Sequence, residues 1–348
     1  MSFNPLQPAF AGLVFARSAS SLDQIPSLPF VTLRPPVLRE RNRRLTTARL
    51  NLQTIFAPPD SPTGRSFWIH SLMTSESSLT AKFPWSFIAI AFGVSWGCWL
   101  FAALTGADMF ENLEVGLIVV IGGFGPAVAG ILMVHRTRDR AVIRGYWKRV
   151  FDFKRIRLPW YAVIVLLYPG SILLTFPIVG QFPDASPLLG IFRNPGWIFT
   201  TLVFVFIFGP LSEELGWRGY ALDWLQDRYS ALWSSLLLGF IWWAWHLPLL
   251  WVTGSFLHRT GHDPVFLGGY LYVVLIYSIF FTWVYNNNQR SVLAVILFHF
   301  SINLTSRLLA LSSEVFTYNS LILLLVAAGV IYRYGPGSLR RAPLHSRR

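Results

Sequence analysis

Apolar and polar positions along this chain alternate in long blocks. Runs of about 20 mostly apolar residues recur near 84–104, 114–134, 158–180, 197–217, 231–252, 265–285, 291–311 and 317–334. About 20 such residues cross the hydrocarbon layer of a bilayer as a helix. The pattern predicts an all-α, polytopic membrane helix bundle of about eight transmembrane helices. The fourth run should continue as helix toward Tyr229, with a kink at Pro210. Glycine and proline inside the second run, Gly122-Gly-Phe-Gly-Pro-Ala-Val-Ala-Gly130, suit helices that approach each other closely.

Residues 1–82 have another texture. They are rich in Pro, Ser and Arg, carry the basic knot Arg39-Glu-Arg-Asn-Arg-Arg44 and the breaker Pro58-Pro-Asp-Ser-Pro62, and show no helical period. They read as a disordered extension, as a transit peptide, or as sequence upstream of a true start at Met73. Residues 83–335 form the membrane domain, and 336–348 form a basic tail.

Composition supports this division. Hydrophobic residues make up 53% of the chain and charged residues 13%, about half the share usual in soluble domains. The net charge of +13 raises the possibility of nucleic acid. The basic residues lie between and after the apolar runs, however, as in cytoplasmic membrane flanks, so the expected partner is the lipid bilayer and not nucleic acid. Arg136 to Arg157 are dense in Arg and Lys, whereas the loop holding Asp108, Glu111 and Glu114 has no basic residue. Positive loops stay inside, which places both termini in the cytoplasm. The bacterial plasma membrane is the expected location, or an organelle membrane if residues 1–82 are a transit peptide. The lone Cys98 excludes an intrachain disulfide and a cysteine-rich metal site.

Polar residues inside the later runs carry the candidate chemistry, because ionisable side chains at membrane depth mark functional sites. Leu211-Ser-Glu-Glu-Leu-Gly-Trp-Arg-Gly-Tyr220 holds two carboxylates and an arginine. Glu214 and Arg218 are four apart and share a helix face, which turns Glu213 elsewhere. His246 lies in Phe240-Ile-Trp-Trp-Ala-Trp-His-Leu-Pro248. If the fourth and fifth runs form a hairpin near Tyr229 and Ser230, Glu213 and His246 each lie roughly 25 Å from the turn. His299 and Asn303 are four apart in the seventh run, roughly 15–22 Å in from the same side.

A carboxylate, two imidazoles and an amide at similar depth suit hydrolysis. Glu213 can act as general base on water held by His246, while His299 and Asn303 donate to an oxyanion. Glu214 and Arg218 support them from behind, and Trp242, four residues before His246, can line the cavity. Glu213, His246 and His299 could instead ligate zinc with a position open for water. Both the zinc and the metal-independent reading stay open. His258, His262 and Asp263 read as a solvated loop.

The order Glu213-Glu214-x-x-x-Arg218, Trp242-x-x-x-His246 and His299-x-x-x-Asn303 resembles the CPBP family, the CAAX prenyl endopeptidases and Abi bacteriocin-processing intramembrane proteases. That family usually has Phe where this chain has Trp242. The resemblance covers about residues 84–334. It implies an intramembrane endopeptidase with Glu213 and His246 activating water, His299 and Asn303 forming the oxyanion site, and a membrane-associated protein or peptide as substrate. Members are described both as metalloproteases and as metal-independent glutamate proteases. The competing expectations are a non-catalytic immunity or scaffold protein of the same fold, and a proton-relaying transporter.

Overall fold

Each of the eight apolar runs is helical in whole or in part. A computed structural model describes residues 84–340 apart from 185, 194 and 310. The expected extension over 1–82 and the basic end of the tail, 341–348, lie outside the described residues.

The helices in chain order are α1 (Trp85–Thr105), α2 (Leu113–Gly122), α3 (Gly125–Arg136), α4 (Arg140–Phe151), α5 (Leu158–Val179), the short α6 (Ser186–Phe192), the interrupted α7 (Gly196–Gln226), α8 (Ala231–Trp245), the short α9 (Phe256–Thr260), α10 (Pro264–Asn287), α11 (Val292–Leu308) and α12 (Ser313–Tyr334). Among the described residues five are long and apolar enough to cross a membrane: α1, α5, α7, α10 and α12. The α2–α3 pair, bent by 41°, makes six if it counts as one span. The expected count of eight is therefore not reached by length and composition. The fifth run ends its α-helix at Trp245 and continues as a 3-10 turn over Leu247–Trp251, and the seventh yields only the shorter α11.

The stretch 136–157, expected as a basic loop, contains a helix. Asp139 caps α4 by accepting from the Ala141 and Val142 amides. Tyr146 and Val150 are buried, four apart on one face, while Arg140 and Arg144 are exposed. This amphipathic helix lies against the middle of α7. The Tyr146 hydroxyl donates to the Leu215 carbonyl at 2.9 Å, and Arg149 donates to the Gly219 carbonyl at 3.0 Å. Arg149 also pairs with Asp223, which accepts from the Tyr285 hydroxyl at 2.7 Å and lies 3.1 Å from Arg290. Burial raises the Tyr146 hydroxyl above its ordinary pKa, with the nearby Arg149 opposing. It therefore stays protonated and able to donate at neutral pH.

The segments that charge assigned to one side meet at one end of the bundle. Arg155 donates to the Gln289 carbonyl, Asn286 and Asn287 donate to the Ser338 and Leu339 carbonyls at 2.8 and 2.7 Å, and the Ala231 amide donates to the Gly337 carbonyl at 2.8 Å.

The glycines near α3 permit the close approach expected of them. A Cβ on Gly130 would lie 2.8 Å from the Leu215 carbonyl, and one on Gly216 would lie 2.1 Å from the Pro126 carbonyl. Neither position has room for a side chain, so α3 crosses α7 backbone to backbone. This contact and the α4 docking hold α7 on two sides, just beside Glu213 and Glu214.

Candidate active site

The backbone of α7 breaks in the membrane region at Phe208 and Gly209. Gly209 has φ +121° and ψ −90°, a conformation that side-chain-bearing residues rarely adopt. Pro210 follows, and a proline disfavours helix in the residue before it while suiting the first turn of a new helix. The kink expected at Pro210 thus falls at the two residues ahead of it. Helix restarts with Glu213 and Glu214 in its first turn, where the positive end of the helix dipole favours carboxylates. The Ser212 hydroxyl accepts from the Gly209 amide at 3.1 Å, closing the break. A wider π-turn follows over Trp217–Ala221. The two carbonyls bound from α4, Leu215 and Gly219, lie on either side of its start.

Glu213, His246, His299 and Asn303 all line one cavity of about 150 Å³. Its remaining wall is mostly aromatic and aliphatic, including Trp99, Phe208, Leu249, Tyr270, Val274 and Ile302. Glu213 is 7% exposed and His299 5%. The His246 ring bonds through Nδ1 to the Trp242 carbonyl at 2.8 Å. A carbonyl only accepts, so the proton sits on Nδ1 and the neutral ring keeps a lone pair on Nε2. The Asn303 amide nitrogen lies close to the break, 3.0 Å from where a Cβ on Gly209 would be.

Glu214 faces away from Glu213, as neighbours on a helix must. Its carboxylate accepts two bonds from Arg218 at 3.0 Å, and both side chains are fully buried. Arg218 also donates to the Ser278 hydroxyl at 3.3 Å, and its guanidinium stands 4.5 Å from the Phe281 ring centre. The pairing predicted from spacing is present. Glu214 has a second partner that spacing could not reveal: its Oε1 lies 2.9 Å from His299 Nδ1. Arg218, Glu214 and His299 thus form a buried chain from α7 to α11, which sets the imidazole's orientation toward the cavity. A carboxylate behind a functional imidazole is a common way to fix its ring and tautomer.

Among the described residues no group of three or more His, Cys, Asp and Glu side chains is placed to hold a metal ion. Glu213, His246 and His299 share a cavity without the arrangement of a three-ligand set, so no step below passes through a metal. His258 bonds to the Leu250 carbonyl at 3.0 Å, with its ring 5.5 Å from His262. They lie outside the cavity lining.

These features define a class: a multi-pass helical membrane protein with a polar site enclosed by its own bundle. Two comparisons take this to a family. Residues 195–305 match the family described as type II CAAX prenyl endopeptidase Rce1-like. Over 254 residues the chain is 30% identical to the CAAX prenyl protease 2 of Methanococcus maripaludis, an alignment that takes in 71% of this chain and 93% of the relative. The chain belongs to the CPBP family of membrane proteases. The matched segment runs from the start of α7 into α11 and contains all four cavity-lining polar residues named above.

Proposed function

We propose that this protein is a glutamate-type intramembrane endopeptidase that trims the C-terminal peptide from lipid-anchored, CAAX-like substrates at the cytoplasmic face. The observation that carries the reading is the convergence of Glu213, His246, His299 and Asn303 on one apolar-walled cavity. Water sits between Glu213 and the Nε2 lone pair of His246. Its oxygen attacks the scissile carbonyl carbon while its proton passes to the Glu213 carboxylate. The carbonyl oxygen becomes an oxyanion, stabilised by the Asn303 amide and by His299. His299 faces the oxyanion through Nε2, with Glu214 bonded to Nδ1 behind the ring. As the C–N bond breaks, Glu213 returns the proton to the leaving amine. The products are a new carboxylic acid, which gives up its remaining proton to the released amine to leave a carboxylate and an ammonium, and Glu213 is restored.

The wall and the relative support this substrate class. The CAAX prenyl protease 2 similarity and the aromatic lining both favour a peptide delivered next to an isoprenoid chain. The basic residues of α4 support the sidedness, and their end of the bundle also gathers the 286–290 loop and residues 336–340. A comparison of new protein termini in membranes carrying wild type or Glu213→Ala, at matched expression, tests the reading. Termini formed only with wild type, upstream of short C-terminal peptides, are the expected result. Identical profiles would move the assignment to a non-catalytic immunity or scaffold role.

A further inference from the structure

Trp242 meets four charged or titratable groups of the site. Its indole Nε1 donates to Glu213 Oε2 at 2.5 Å. Its carbonyl accepts from His246. Its ring meets His299 edge-on at 5.6 Å and lies 5.1 Å from the Arg218 guanidinium. Other buried indoles behave differently. Trp96 and Trp99 donate to backbone carbonyls, and the indole nitrogens of Trp217, Trp243, Trp245 and Trp283 have no hydrogen-bond partner. Donation to a carboxylate is thus not a by-product of burying tryptophan in this bundle.

The consequence for Glu213 is geometric. A glutamate side chain has three rotatable bonds, and a general base needs one oxygen held on the proton it removes. The indole takes Oε2, while Oε1 lies toward Gly209 and Asn303, 3.8 Å from where a Cβ on Gly209 would be. An indole N–H is a donor only, so it cannot take the proton itself. A phenylalanine at 242 would fill the ring position and leave Oε2 without this donor.

We infer that Trp242 is a positioning residue, whose indole N–H fixes the Glu213 carboxylate so that Oε1 is presented to water. This role rests on Glu213 being the base. The test uses the full chain in nanodiscs, a quenched fluorescent farnesylated CAAX peptide, and Trp242 replaced by phenylalanine or by benzothienylalanine. The latter keeps the shape of tryptophan and puts sulfur in place of N–H. Both variants should lose about tenfold in kcat, the scale of one charge-assisted hydrogen bond, with KM within about twofold and, for benzothienylalanine, an unchanged Tm. In a second measurement on ¹⁵N-tryptophan protein, the indole signal absent from Trp242→Phe should move upfield in Glu213→Ala. Wild-type kcat in the benzothienylalanine variant would overturn the inference, and so would an indole signal unmoved by Glu213→Ala. A wild type that cleaves no peptide would sink the hydrolase reading and the role with it, while the indole signal still reports whether the bond exists.

Discussion

Helices α7 and α10 cross the same bundle and are built in opposite ways. The 24 residues of α10 run unbroken from the Asp263 cap to Asn287. They bury a continuous face of Val, Ile, Tyr and Phe, with Ser278 and Thr282 answering their own polar needs by bonding to the Ser235 and Ser278 carbonyls. In α7 the backbone breaks at Phe208 and Gly209 and widens over Trp217–Ala221, and the stretch between holds both glutamates. In an apolar medium every backbone polar group needs a partner, so irregular backbone persists only where protein or a cavity satisfies it. Here Ser212, Tyr146 and Arg149 supply partners. The regular helix is a frame, and the distorted one aims its side chains into the cavity.

The largest expected effect comes from Arg218. It neutralises Glu214 where neither side chain reaches solvent. Removing one partner of a buried pair costs about 3–5 kcal/mol. Arg218→Ala should therefore leave little folded protein in nanodiscs by size-exclusion and thermal unfolding. A variant with wild-type Tm would show that Glu214 does not depend on Arg218.

Gly209→Ala strikes the break itself. It combines a φ of +121° with a Cβ 3.0 Å from the Asn303 amide nitrogen. The expected result is a folded protein with peptide cleavage down about 100-fold, near 3 kcal/mol of lost transition-state stabilisation. Gly268→Ala on α10, where nothing lies within 4 Å, should be neutral or stabilising by about 0.5–1 kcal/mol. If the two glycines behave alike, the contrast between the helices has no functional content.

Tyr146→Phe removes only the hydroxyl that meets the Leu215 carbonyl. It leaves a buried acceptor short of its partner, at a cost of about 1–2 kcal/mol. Tm should fall by a few degrees, and cleavage should slow by several-fold because Leu215 adjoins Glu214. Loss of Tm without any loss of activity would make α4 a support alone. The smallest effect is expected from 1,10-phenanthroline. Cleavage by purified protein should be unchanged, and inhibition reversed by added zinc would restore the metal reading.

Much of this was legible in the sequence, and the gaps have physical causes. Apolar blocks predict the helices well, because each helix must satisfy its backbone within itself. They do not fix the number of spans, because hydropathy does not register the end of α8 at Trp245. The pairs Glu214–Arg218 and His299–Asn303 are visible through their spacing on single helices. The bond between Glu214 and His299 joins residues 85 apart in the chain, and no spacing rule reaches it. Tyr146 and Arg149 sit in a stretch whose charge reads as a topology signal, although Tyr146 and Val150 at i,i+4 hint at a buried face. The Trp242 bond is hidden because an aromatic residue in an apolar run reads as packing, and nothing in the pattern shows where the indole N–H donates.

The central claim is that Glu213 activates water at a site completed by His246, His299 and Asn303. The most direct measurement is hydrolysis of a farnesylated CAAX peptide by purified protein in nanodiscs, run in ¹⁸O-labelled water and followed by mass spectrometry. Wild type should place one ¹⁸O in the new carboxyl group in a single turnover, and Glu213→Gln should lower the rate by about 10²–10⁴-fold with the fold intact. Glu213→Gln cleaving at the wild-type rate would contradict the account.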